Sequence, residues 1–382
     1  MFAMEDKRIF EIVSSLINIR SVSGEESEIV DYLKTLFSSM GFCYEIMPSG
    51  SICAIVDRGI SGPVVVMDGH IDTVDVPNPS LWKRNPFNAS VDNGKLYGRG
   101  ASDMKGAVGA MIAALESFSK KSFKGKVVMA CIVEEERFEG IASREVSEHF
   151  TPDYVIIGEA SNRKLNLGQR GRCEVQLLSK GISCHSSNPG EGRNAVLNMM
   201  DAINQVEALP VVHDEFLGDG IFALTDIKSN PYPGSSVIPE ECLVTYDRRI
   251  LTGETPSSVL APIEKALAGS NVYAKIAYGE TISYKGKHLE AQRFFPAWRI
   301  SKDSDLAVKA SKGLEKHSLF EGFGYYGFCT NGSHYAGEKN IATIGYGPGE
   351  ERLAHIVDEY VPLPDLSICA NGYEAILESL LS

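Results

Sequence analysis

The sequence predicts an α/β protein of two domains, a mostly parallel-sheet domain interrupted by a smaller α+β insertion. Three observations lead there. Four short, wholly apolar runs are separated by helical patterns, as in a parallel sheet buried on both faces. The middle of the chain changes to a strand–helix–strand–strand–helix–strand order. And 382 residues exceed what one ordinary core accommodates.

Taken in order, Ser23-Gly-Glu-Glu26 spells a capping box, and Ile29, Leu33, Leu36, Phe37 and Met40 follow at helical spacing up to Gly41. The apolar runs are Val64–Met67, Val127–Val133, Tyr154–Ile157 and Ile341–Ile344. A small-residue helix is expected over Ala107–Leu115. In the middle, Cys173–Leu178, Leu243–Arg249 and Val272–Tyr278 read as strands, and Ala195–Ala208 and Pro256–Ala268 as helices. A helix over Ser301–His317 leads back into the first domain. The expected division is 1–172 and 289–382 for the larger domain, and 173–288 for the insertion. There are no internal repeats.

Composition narrows the function. A formal charge of -13 argues against gripping phosphate backbones or anionic membranes, although a pocket can still be locally positive. Neither a basic stripe nor a run of about 20 apolar residues occurs, so no nucleic-acid or membrane partner is expected. The eight cysteines are scattered without a C-x-x-C pair, which fits reduced thiols in a cytoplasmic protein. The first residues lack an apolar h-region and a small-residue cleavage site, so secretion is not expected.

The residues with chemistry stand just beyond the apolar runs. The first run leads into Asp68-Gly-His-Ile-Asp72, the second into Glu134-Glu-Glu136, the third into Gly158-Glu159, and the fourth through a glycine-rich turn to His355. Ligands of open α/β sheets bind beyond the carboxyl ends of the strands, so these clusters should converge. In His-x-Asp at 70–72 one imidazole nitrogen can bind metal while the aspartate fixes the ring; by itself the motif is more often a polar turn. Gly98-Arg-Gly-Ala-Ser-Asp103-Met-Lys-Gly106 makes a tight loop before a helix and lacks the Gly-Lys-Ser/Thr ending of a phosphate loop. An acidic triplet is usually a solvated patch, but this one comes after a buried-looking strand, where three carboxylates repel unless cations neutralise them. No H-E-x-x-H occurs, which disfavours a thermolysin-like protease.

Together these stretches resemble the M20 family of metallopeptidases and deacylases, which includes acetylornithine deacetylase, succinyl-diaminopimelate desuccinylase and carboxypeptidase G2. The matching segments are G-H-I-D-T-V at 69–74, Y-G-R-G-A-S-D-M-K-G at 97–106, E-E-E at 134–136 and G-E-A-S at 158–161. G-I-S-C-H-S-S at 181–187, G-R-N-A at 192–195, D-R-R at 247–249, T-N-G-S at 330–333 and L-A-H-I-V-D-E at 353–359 complete the set, in family order. The nearest likeness is to a subgroup named for selenium metabolism.

The resemblance implies a metallopeptidase catalytic domain with an inserted lid and dimerisation domain, hence a homodimer. It implies two divalent metal ions, with zinc the best match and cobalt or manganese as alternatives. Asp103 would bridge them, His70 and Glu159 would complete one site, and Glu136 and His355 the other. Two divalent cations against three ligand carboxylates leave about one positive charge, which a hydroxide would cancel. Glu135 matches the family's general base, with Asp72 catalytic beside His70. His185 matches a lid histidine that helps hold the oxyanion, and Arg249 an arginine that clamps a substrate carboxylate; Arg248, on the opposite face of the strand, competes for that role. Asn331 and Gly332 should line the pocket. A cis peptide is implied at Asp103–Met104.

Three positions depart from the pattern: Glu134 replaces the usual aspartate, Asn331 the aspartate of T-D-G, and Ser236 an asparagine. The resulting expectation is a di-metal hydrolase of an N-acylated amino acid or related small, carboxylate-bearing amide. A dipeptidase or aminopeptidase on the same scaffold is the alternative, and a non-catalytic metal-binding regulator a more distant one.

Overall fold

A computed structural model describes residues 4–382. The chain divides into two compact units. The first runs up to Gln169 and includes Glu280–Glu290 and Trp298–Ser382; the second comprises Arg170–Gly279 and Ala291–Ala297.

The first unit is built on a nine-stranded sheet whose main path runs Cys43–Ile46, Ile52–Asp57, Lys126–Ile132, Val64–His70, Tyr154–Ile157, Ala342–Gly345, Leu165–Gln169, Trp298–Arg299. Its centre is parallel: Val66 lies opposite Val128 on one side and Val155 on the other, and Ile344 opposite Ile156. The four apolar runs of the sequence are these four central strands. Val65, Val66 and Met67 are fully buried, as expected of strands covered on both faces. The flanks are antiparallel, so the sheet is mixed. Helix Lys105–Phe118 packs against Val64–His70, and Met4–Asn18 and Leu363–Leu381 pack on that helix.

One local expectation is overturned. The helix after Gly24 runs Ser27–Ser39, with Glu26 at its N-cap and no side-chain capping bond. The Ser23 hydroxyl instead donates to Asp72 Oδ2 at 2.6 Å, and Glu26 Oε1 accepts from the Glu134 amide at 3.2 Å. Long-range partners outcompete the local box, because buried acceptors beside the sheet must be satisfied first.

The second unit is a five-stranded antiparallel sheet ordered Ile221–Asn230, Glu241–Ile250, Gly171–Lys180, Val272–Ile276, with Phe294–Phe295 added to Gly171–Lys180. Helices Ala195–Glu207 and Pro256–Ala266 cover one face. Val175, Leu177, Val244 and Tyr246 from the sheet meet Met199, Ala202, Val259 and Ile263 from the helices. Ile221–Asn230 is an edge strand that leaves Ile221, Leu224 and Ile227 exposed.

A π-helical turn, Ser333–Glu338, follows the Thr330–Gly332 loop in the first unit. Glu338 takes a 2.7 Å contact from His334 Nδ1 and another from Arg144 Nη2. Burial alone would raise its pKa, but these hydrogen bonds hold it down at about 2. A depressed carboxylate contributes stability above its ordinary pKa of 4.5 and loses it as pH falls towards 2. Glu338→Gln is therefore expected to lower Tm at pH 7, with the difference from the parent shrinking as the pH is brought to 3. A pH-independent difference would show that packing, not charge, holds this turn.

Candidate metal centre

The first unit brings the clusters at the strand ends together. His70 closes Val64–His70, and its Nδ1 donates to the Asp72 carbonyl oxygen at 2.9 Å; the Asp72 carboxylate is farther, at 3.6 Å. The ring is thus oriented mainly by a backbone oxygen and not by the carboxylate that the motif suggests. Its Nε2 then faces Asp103 Oδ1 at 2.9 Å, Glu159 Oε1 at 3.4 Å and Glu135 Oε2 at 3.9 Å. On the other side of Asp103, His355 Nε2 lies 3.1 Å from Oδ2 and 3.0 Å from Glu136 Oε2. Asp103 therefore stands between the two imidazoles.

Each side chain is aimed by its own local structure. Asp103 is the last residue before a cis peptide to Met104, at the head of helix Lys105–Phe118. Its loop is held by buried Glu359, which accepts from the Ser102 and Asp103 amides at 2.8 and 3.0 Å and from Arg99 at 2.6 Å. Gly106 lets the helix start close on this loop, since a Cβ there would sit 2.2 Å from the Ala101 carbonyl oxygen. The acidic triplet turns through Glu134, whose φ of 62° is left-handed. Asp72 accepts from the Glu135 and Glu136 amides at 3.2 and 3.1 Å, which directs both side chains toward the imidazoles. His355 also has a left-handed φ, 61°, and is half exposed, so it marks the open side of the cluster.

Charge is badly balanced in this space. Asp103, Glu135, Glu136 and Glu159 are nearly buried and share two imidazoles. Among the described residues no lysine or arginine forms an ion pair with these four; Lys105 is buried but bonds the Ile19 carbonyl, and Arg99 is taken by Glu359. Burial, with the Asp103 charge, pushes Glu136 up to about 7 and raises Glu159. Burial likewise raises Glu135 well above the carboxylate range. Asp103 moves the other way: burial opposes ionisation, but hydrogen bonds from His355 and His70 outweigh it. Those bonds to Asp103 and Glu136 lift His355 to about 10. Mixed oxygen and imidazole donors with surplus negative charge are the donor set of a divalent-cation site. Donor atoms of His70, Glu135 and Glu159 lie within 4.8 Å of one another, as do those of His70, Asp103 and Glu136.

The remaining site residues of the sequence reading fall elsewhere. Asn331 is buried, with its amide committed to Asp68 Oδ1 at 2.8 Å and its oxygen to the Gly140 amide at 2.7 Å. Gly332 has no room for a side chain, since a Cβ would lie 2.7 Å from Trp298 Nε1. His185 and Arg249 belong to the second unit. There His185 Nδ1 contacts Ser187 Oγ at 2.7 Å, and Arg249 Nε lies 3.3 Å from Asp247 on the sheet face away from the helices. Arg248, on the helix-covered face, pairs with Glu254 at 2.5 Å. From sequence, Arg99 and Glu359 had no site role, and Ser23 and Glu26 had only a helix-capping one. Glu359 lies in the L-A-H-I-V-D-E segment, and a carboxylate four residues after a candidate ligand histidine was the available signal.

A carboxylate-rich cluster with two imidazoles, at the carboxyl edge of a mostly parallel sheet, defines a metallohydrolase of the α/β class. The chain belongs to peptidase family M20/M25/M40, which residues 66–379 match. It is 30% identical over 380 residues to YgeY, an uncharacterized protein of Escherichia coli (strain K12), covering 96% of this chain and 93% of that one. It is 28% identical over 398 residues to the succinyl-diaminopimelate desuccinylase of Hydrogenovibrio crunogenus, covering 97% and 98%. Among solved structures it resembles Bacillus subtilis YXEP, described as a dinuclear metal-binding peptidase of the M20 family. The TM-score is 0.70 at 14% identity, over 98% of both chains.

Proposed function

We propose that the protein cleaves the amide bond of an N-acylated amino acid or a related small, carboxylate-bearing substrate. The observation that carries this reading is the cluster of four nearly buried carboxylates around two imidazoles, without a lysine or arginine partner among the described residues. Two divalent cations answer that deficit. His70 and Glu159 would hold one, Glu136 and His355 the other, with Asp103 shared. Zinc suits the donors best, and cobalt or manganese can replace it. Such a centre, when loaded, lowers the pKa of water and polarises a carbonyl.

Glu135 is left over from that ligand set and is the general base. It lies beside His70 Nε2 in a dry setting that raises its pKa, so it can take a proton from water and return it to the leaving amine. Asp72 would serve catalysis by holding Glu135 and Glu136 in place through their amides. From the second unit, His185 would stabilise the oxyanion and Arg249 would clamp a substrate carboxylate through its planar fork. Asn331 and Gly332 would back the pocket from the first unit, Asn331 through its bonds to Asp68 and the Gly140 amide. The exposed apolar edge Ile221–Asn230 supports a homodimer through the second unit. No helix among the described residues is long and apolar enough to cross a membrane, and the cysteines are all free, in keeping with a cytoplasmic enzyme.

The test is amine release from N-acetyl, N-succinyl and N-carbamoyl amino acids and from dipeptides, with zinc, cobalt or manganese added. Preferred turnover of acyl amino acids is expected. Preference for dipeptides with a free amino group would move the reading to a peptidase. No turnover at full metal loading would leave a non-catalytic metal binder.

A further inference from the structure

Three consecutive amides, those of Glu134, Glu135 and Glu136, are each accepted by a buried carboxylate. Asp72 takes the second and third, and Glu26 Oε1 takes the first at 3.2 Å. Glu134 is also the residue whose φ of 62° turns the chain into the left-handed region, where a non-glycine residue persists only if its surroundings hold it. Glu26 reaches it because the chain bends at Gly24, φ +87°, where a Cβ would lie 2.9 Å from Arg137 Nη1.

We propose that Glu26 is a positioning residue of the metal centre. By accepting the Glu134 amide it fixes the turn from which Glu135 and Glu136 project. The role rests on the reading of those two residues as base and ligand.

The helix that begins at Ser27 offers a simpler use for Glu26, as an acid near a helix N-terminus. Three observations weigh against it. The side chain makes no capping bond. It is fully buried, and among the described residues no cationic side chain lies within ion-pair distance, so an ionised form would be uncompensated. Its other oxygen has no hydrogen-bond partner. Burial, and then the charge of Asp72, push Glu26 up to about 8, so it is mainly neutral at pH 7. What the turn requires is therefore an acceptor of the right length, and a charge is dispensable.

Hydrogen exchange on the metal-free full-length chain tests this without turnover. Glu26→Leu keeps the bulk and removes the acceptor, so amides 134–136 should exchange about tenfold faster than in the parent. Glu26→Gln keeps the carbonyl and should stay within about threefold of the parent. Glu26→Asp keeps the acid but withdraws the acceptor by one methylene, and should behave like the leucine variant; it serves if Glu26→Leu does not fold. In loaded enzyme, the leucine variant should lose kcat with KM nearly unchanged, and the glutamine variant should restore it. Unchanged protection in both Glu26→Leu and Glu26→Asp would overturn the proposal. Equal loss in Glu26→Gln would overturn the neutral-acceptor account. An inactive parent with protected amides would count against the base assignment and leave only the hold of Glu26 on the turn.

Discussion

Glu135→Gln is expected to lower kcat about a thousandfold while leaving both divalent cations bound, because the amide cannot accept a proton. The residue stands 3.9 Å from His70 Nε2, farther than Asp103 or Glu159, so it is the acid of this group least committed to the imidazoles. The substitution removes none of the proposed ligands, so both cations should stay bound, and it replaces a carboxyl whose charged form burial already disfavours, so Tm should hold or rise. Kinetics at saturating substrate, with metal content measured by elemental analysis on the same sample, separate the two effects. Loss of metal together with activity would make Glu135 a ligand. Full activity would sink the base assignment.

Chelation should abolish turnover and reveal the charge imbalance as a pH dependence of stability. In metal-free protein, His355 is lifted to about 10 by its bonds to Asp103 and Glu136. A histidine raised above its ordinary 6.5 stabilises the fold fully below that value and loses the contribution as pH rises towards 10. Glu136, pushed up to about 7 by burial and by Asp103, acts in the same direction: from its ordinary 4.5 upward, ionising it in the fold costs stability. Asp103, shifted the other way, stays ionised across this range and adds no slope. Both slopes thus predict that Tm of chelated protein falls by several degrees between pH 6 and 9. His355 is half exposed, so solvent screening reduces its share. Added divalent cation should restore Tm and flatten or reverse the slope, since metal binding requires deprotonated ligands. A chelated protein whose Tm is flat or rises over that range contradicts the shifts.

The parts of this molecule that could be read from sequence were those whose signal is local. Val64–Met67 and Tyr154–Ile157 are too short and too apolar to be anything but buried strands, and the polar residues just after them had to lie at the sheet edge. The strand Ile221–Asn230 was not legible: it is mostly exposed, its residues alternate poorly, and only pairing with Glu241–Ile250 defines it. The capping-box reading of Ser23 and Glu26 failed for a physical reason. The letters S-x-x-E favour a local box, but their partners, Asp72 and the Glu134 amide, lie 49 and 108 residues away and are desolvated. The same limit hid Glu359, which holds Asp103 from 256 residues downstream. Glu136 and Glu159 were legible because they follow apolar strands, and Asp103 because it closes a glycine-rich loop before a helix; the groups that aim them were not, because any buried acceptor could have served.

In the loaded protein Asp103 is expected to be shared by two cations. Anomalous diffraction at the zinc edge, from crystals of zinc-loaded protein, measures this directly. Two peaks are expected, one on the side of His70 and Glu159 and one on the side of Glu136 and His355, with the Asp103 carboxylate between them. A single peak, or two peaks of which one is held without Asp103, would contradict the account.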